Sequence, residues 1–343
     1  MANPILMLDS PLIMLYGRLI GWTLLGYVLG RLLPKIVTTY LGKALLFVGV
    51  PIANISFLRQ ADLSGWIVIA PTTAWIAIIV GAGLAWIWID LGLSDEKFKS
   101  LSRGITLKHQ EKDLSISGFN QENTSWSSAT QGSFLLAMTL GNTSFMGYPI
   151  SLALIGSQYF AWSLFYDLIG STLAAYSVGV ALASRYGSLS DKSAKPPNPL
   201  MAMAKTPALW SLPIGVIMKF MPLPDVLVSG MSAIAWTTVT LALVMIGMQL
   251  SQLKSIRGVK KALTCLTIKM ILTPLVVGTG LMFFGVTGEP RMALVLQMAM
   301  PPAFSTLVIA QAYNLDRDLT VTTLAIGVFA LLFTIPMWLW LFS

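Results

Sequence analysis

The run "MTLGNTSFMGYPISLALIG", Met138 to Gly156, is apolar enough to lie in a bilayer, yet Gly141, Asn142, Thr143, Ser144, Gly147 and Pro149 sit in its middle. A second apolar run, "QMAMPPAFSTLVIAQ", carries Gln297, Pro301, Pro302 and Ser305 in the same way. Proline removes a backbone donor and clashes with the preceding turn, and hydrocarbon cannot satisfy the amides and carbonyls so freed. Such a break is tolerable only against protein or a wet cavity. Where two breaks are paired, half-helix N-termini present positive dipole ends suited to an anion. Pro149 and the glycines are expected to open the first helix, with Asn142 and Thr143 supplying polar groups at the opening. Gln297 and Ser305 flank the second break and are candidates to line the same site; Tyr148 offers a hydroxyl or simply a ring. The plainer alternative is that glycine and serine permit close helix packing and proline gives a kink.

Ionised groups inside apolar runs are the other source of mechanism, since each costs about 2.5–3.5 kcal/mol at the bilayer centre. Three occur: Arg18, Asp167 and Lys269. Arg18 lies about one turn from the start of its run, within reach of the interface. Asp167 follows Tyr166 and precedes Ser171 and Thr172, and either takes up a proton or holds neighbouring helices together. Lys269 lies five residues before Pro274. A Lys269–Asp167 pair would reduce both desolvation costs; alternatively Lys269 stands in for a sodium ion or stabilises an anion. Asn54 and Ser56, which follow Pro51, border a substrate cavity or serve packing.

Catalytic and metal chemistry find little support. The single histidine, His109, falls in a polar stretch, and the single cysteine, Cys265, excludes an intrachain disulfide. There is no Ser/His pair in the apolar runs, no HExxH and no GxxxxGK[ST] phosphate loop. Neither an enzyme nor a bound cofactor or metal is expected.

The elements that must carry these residues follow from composition: 343 residues, 55% hydrophobic and 10% charged, with a mean hydropathy of +0.75. That describes an integral membrane protein. Ten candidate spans can be drawn, at 12–33, 43–58, 66–89, 132–156, 161–183, 206–221, 231–250, 261–286, 290–312 and 319–342. A barrel would alternate apolar and polar residues over segments of about ten, whereas these runs are continuous, so the expected class is all-α. The first run lacks the flanks of a cleaved signal and reads as a retained helix.

With the N-terminus outside, seventeen Lys and Arg fall at inside ends and loops, against three outside (Arg59, Lys219 and Arg291). This bias places both termini on the non-cytoplasmic side of the plasma (inner) membrane. It also accounts for the net charge of +8 without a nucleic-acid partner. The stretch 90–130 is expected to be a cytoplasmic loop, with a short interfacial helix as the alternative. The connector 184–205, with Pro196, Pro197 and Pro199, divides the chain into five helices (1–183) and five more (206–343). An odd number per half inverts the second half, giving the inverted repeat of many secondary carriers.

"LGNTSFMGYPI" resembles the L-P-N-T-x-x-M-G-x-P signature of the auxin efflux carrier family, with Gly141 in place of a proline. "LFYDLIGST" (164–172), "LVMIGMQLS" (243–251) and "AMPPAFSTLVIAQAYNLD" are similar to that family's fifth, seventh and ninth helices. The resemblance implies a scaffold of helices 1, 2, 6 and 7, and a mobile transport domain of helices 3–5 and 8–10 crossing at broken helices 4 and 9. It further implies a small organic anion as substrate, with Asn142 contacting its carboxylate, elevator-type alternating access and a homodimer through the scaffold. Sodium-coupled bile acid carriers share the general fold, so proton and sodium coupling both stay open, as does a non-transporting sensor.

Overall fold

A computed structural model describes residues 4–63, 65–106, 126–189, 198–253 and 256–342. His109, Pro196 and Pro197, with the rest of 107–125 and 190–197 in the two polar connectors, lie outside the described residues. In chain order the helices are α1 (Pro4–Leu32), α2 (Lys35–Gln60) and α3 (Ile69–Thr106), then α4 (Ser128–Thr139), a wide turn (Thr143–Gly147) and α5 (Tyr148–Leu154). There follow α6 (Phe160–Tyr186), a short α7 (Pro199–Ala204), α8 (Pro207–Lys219) and α9 (Asp225–Ser251). The chain closes with α10 (Val259–Phe284), α11 (Gly288–Met298), α12 (Ser305–Ala312) and α13 (Arg317–Phe342).

The protein is all-α: no strand occurs among the described residues, where the one β-bridge joins Gly141 to Pro302. Among the described residues, seven helices are long and apolar enough to cross a membrane: Ile13–Leu32 of α1, α2, Ile69–Asp90 of α3, α6, α9, α10 and α13. Helix α3 runs on to Thr106, where a loop is expected from residue 90. The stretch contains no proline and several good helix formers, including Glu96, Lys97 and Leu101.

Packing sorts the helices into two groups. Helix α1 packs chiefly on α9, and α2 on α8 and α9; α3, α4, α6 and α10–α13 pack mainly on one another. Small residues set the first group. A side-chain carbon at Gly26 would overlap the Val244 carbonyl of α9, and one at Gly247 would overlap the Thr23 carbonyl of α1. The two backbones therefore touch, the close approach that drives helix association where water supplies no hydrophobic force. At one end of this group α2 and α8 cap each other. Arg59 donates to the Met218 carbonyl, while Lys219 donates to the carbonyls of Arg59 (3.2 Å) and Ala61 (2.6 Å). Each cation thus meets the negative end of its neighbour's helix.

Prolines leave a second signature. The i→i+5 turns at Leu45–Gly49, Thr143–Gly147 and Ile268–Leu272 each end two residues before a proline, Pro51, Pro149 or Pro274. Widening the turn moves aside the carbonyl with which the ring would clash. The freed carbonyl still needs a donor. Four residues before Pro274, the Met270 carbonyl accepts Trp338 Nε1–H of α13 at 3.1 Å.

Replacing Gly247 by Leu is expected to separate α1 from α9 and lower the unfolding temperature in detergent markedly. Gly17→Leu, at a site with nothing within 4 Å, should leave it within a degree or two of the parent in the same thermal scan.

Candidate functional site at two interrupted helices

Two helices stop part-way and restart. After Thr139 the chain turns extended at Leu140, and helical geometry resumes at Thr143. After Met298 it breaks across Ala299–Phe304 and resumes at Ser305. The breaks are bonded to each other. Asn142 N–H donates to the Pro301 carbonyl and Ala303 N–H to the Leu140 carbonyl, both at 2.8 Å, flanking the Gly141–Pro302 bridge. Groups orphaned by one break are satisfied by the other, as a dry interior requires.

The restart leaves donors. In the first wide turn Met146 and Gly147 are the first amides to bond back, both to the Asn142 carbonyl. The amides of Thr143, Ser144 and Phe145 therefore precede the ladder, as the leading N–H groups of any helix do. The Asn142 side chain is buried, at 5% exposure, and among the described residues it has no hydrogen-bond partner.

Lys269, on the wide turn of α10, is buried and donates to the Met138 carbonyl at 2.9 Å. Met138 is the penultimate residue of α4, so the ammonium caps the negative end of the interrupted helix. Its Nζ lies 3.7 Å from where a side-chain carbon on Gly141 would stand. The Lys269–Asp167 ion pair is not formed; among the described residues the ion pair present is Arg257–Asp318, on the surface. The reason is competition for partners. Lys269 is taken by a carbonyl, and Asp167 is enclosed by hydroxyls.

Asp167 sits in the wide-turned stretch Tyr166–Thr172 of α6. Thr143 donates to its Oδ1 at 2.5 Å, Tyr148 to its Oδ2 at 2.6 Å, and Ser144 also to Oδ2. These contacts tie the restart of the first broken helix to α6.

Other expected residues fall differently. Pro149 is not at the break: it lies in the first turn of α5, after the wide turn that absorbs its missing donor, and the chain opens around Gly141. Ser305 is exposed; its neighbour Thr306 is the buried one and bonds the Ala303 carbonyl at 2.7 Å. Asn54 is buried but bonds Ser211 of α8 at 2.9 Å, which places it in the α2–α8 contact. Gln297 is fully buried against Gly147, with Nε2 3.4 Å from Ser151 Oγ, itself bonded by Ser163. Sequence reasoning gave Ser144 no role beyond its place in the break and passed over Ser151. Their signal was faint: a hydroxyl directly after Asn-Thr, and another at helical spacing from Gly147.

With this geometry in hand, comparison with known proteins is informative. Residues 115–339, well over half of the chain, match the family model described as membrane transport protein. The chain belongs to that family, the auxin efflux carrier-like transporters. With its apolar helices, membership makes it a multi-pass membrane protein. Two archaeal relatives are each described as an uncharacterized transporter. One, from Methanocaldococcus jannaschii, is 28% identical over 215 residues, covering 61% of this chain and 68% of the relative. The other, from Methanothermobacter thermautotrophicus, is 24% identical over 320 residues, covering 92% of this chain and 93% of the relative. The matched region of this auxin efflux carrier-like chain contains both breaks, Asp167 and Lys269.

Gly147→Ala is expected to drive a methyl into the Gln297 amide and cost about 1–3 kcal/mol, seen as a lowered unfolding temperature; Gln297→Ala in the same chain should restore most of it. At Gly141 a methyl meets nothing closer than 3.5 Å, so Gly141→Ala should melt with the parent.

Proposed function

We propose that the protein is a secondary transporter of small organic anions carrying a carboxylate, with its binding site where the two interrupted helices meet. The observation that carries this reading is the joined pair of breaks, with the unpartnered Asn142 amide, the amides of Thr143–Phe145 and the Lys269 ammonium gathered around it. Lys269 carries positive charge and the others offer N–H donors, which favours an anion. Asn142 and the leading amides hold the carboxylate, and Lys269 offsets its charge.

In this reading each interrupted helix counts as one span and α8 as another, giving ten spans in two inverted sets of five in the plasma membrane, with both termini outside. The first packing group (α1, α2, α8, α9) serves as scaffold and as the face for a homodimer. The second carries the site and slides as an elevator, exposing it to each side in turn. Asp167 acts as the coupling group, exchanging a proton for one of its three hydroxyl bonds as the restart of the broken helix shifts.

The test is uptake of labelled carboxylates, indole-3-acetate and small dicarboxylates among them, into proteoliposomes, with pH and sodium gradients applied separately. Saturable flux and counterflow are expected. Asn142→Ala and Lys269→Gln should each reduce flux at least tenfold, about 1.4 kcal/mol or more of lost binding. Unaltered flux in Asn142→Ala would remove the site from the breaks, and dependence on sodium alone would replace proton coupling.

Asp167→Asn separates coupling from structure. It should retain exchange of substrate for substrate while losing the response to a pH gradient. Exchange and gradient response that both stay at the parent level would leave Asp167 a structural tie.

A further inference from the structure

Tyr16 of α1 donates its hydroxyl to the backbone carbonyl of Leu332 in α13 at 2.9 Å. That carbonyl lies four residues before Pro336, which sits inside α13. In an uninterrupted helix the amide of residue 336 would bond it, but proline has none. The orphan left by the proline is therefore satisfied by a side chain from another helix.

That helix belongs to the other packing group. α1 packs on α9, whereas α13 packs on α4, α10, α11 and α12. Most side-chain hydrogen bonds stay within one group. The Tyr176–Thr206 bond also crosses, but it joins α6 to the entry of α8, the next long helix in the chain. Tyr16 and Leu332 are 316 residues apart. The tyrosine ring packs against the cluster containing Leu331 and Ile335, so the hydroxyl reaches the carbonyl from among apolar neighbours. A single hydroxyl spans only one short bond length, and a carbonyl left without a donor in apolar surroundings is costly.

We infer that Tyr16 and the carbonyl freed by Pro336 form a latch that holds the two helix groups in the described arrangement and opens when one group moves past the other. The inference rests on the alternating-access reading above and adds to it the contact that must break. Pro336 is the second half of the device. Without it, the Leu332 carbonyl would be bonded within α13 and offer Tyr16 nothing to hold.

Spin labels at Leu32, 74% exposed at the end of α1, and at Arg317, exposed at the start of α13, report the separation of the groups. They are placed in a Cys265→Ser background and measured in liposomes without substrate. Tyr16→Phe keeps the ring and removes the hydroxyl. It is expected to change the ratio of the distance populations roughly fivefold, the effect of one hydrogen bond. In a Pro336→Ala background, where an amide again satisfies Leu332, adding Tyr16→Phe should change nothing further. Superimposable distributions for the parent and Tyr16→Phe would overturn the latch, as would an equal shift with and without Pro336. Should Pro336→Ala not fold, the comparison of the parent with Tyr16→Phe decides alone. Because no substrate is present, failure of the latch is separable from failure of the transport reading: anion flux with unmoved distances sinks only the former, and shifted distances without flux only the latter.

Discussion

Backbone hydrogen bonding in a medium without water is the constraint on which this structure depends. A helix meets it internally, and a broken helix does not. Here two broken helices meet it for each other, through Asn142 to Pro301 and Ala303 to Leu140. That mutual bonding fixes where α4 ends, where α12 begins and which groups are left over. The Leu140, Pro301 and Met138 carbonyls are taken by the opposite chain and by Lys269, while the amides of Thr143, Ser144 and Phe145 precede the restarted ladder.

The same constraint explains the prolines elsewhere. Pro51, Pro149 and Pro274 are each preceded by a widened turn. Met270 and Leu332, the carbonyls freed by Pro274 and Pro336, find donors in Trp338 and Tyr16. Aromatic residues with one polar atom suit this task, since the ring stays among apolar neighbours while the N–H or O–H reaches the backbone. At Pro274 and Pro336 the freed carbonyl is thus tied to a named partner on another helix.

Charge follows a related rule. Lys269 and Asp167 lie on helices of one packing group, and pairing them would offset part of the cost of burying both charges. Instead each is solvated by neutral dipoles, a carbonyl for the ammonium and three hydroxyls for the carboxylate. Keeping them apart leaves the ammonium beside Gly141 at the break.

The sequence by itself determined the all-α membrane class, the long apolar helices, the family and the existence of two breaks. These depend on run length, composition and local chemistry: apolar runs long enough to cross, prolines without donors, and an Asn-Thr beside glycine. Tyr148 and Asp167 were legible as candidates for the same reason, being polar groups where hydrocarbon does not tolerate them unpaired. Only the tertiary structure decided how such residues are partnered. The rotation of each helix about its axis sends Ser305 outward and Asn54 toward Ser211, turns Lys269 to Met138, and gathers Thr143, Ser144 and Tyr148 on one carboxylate. The location of the first opening at Gly141 was likewise decided by the opposing chain, since Pro149 can be accommodated by a wide turn and Gly141 is where Pro302 pairs. Helix rotation and cross-chain pairing arise from contacts between residues far apart in sequence, and neither composition nor spacing encodes them.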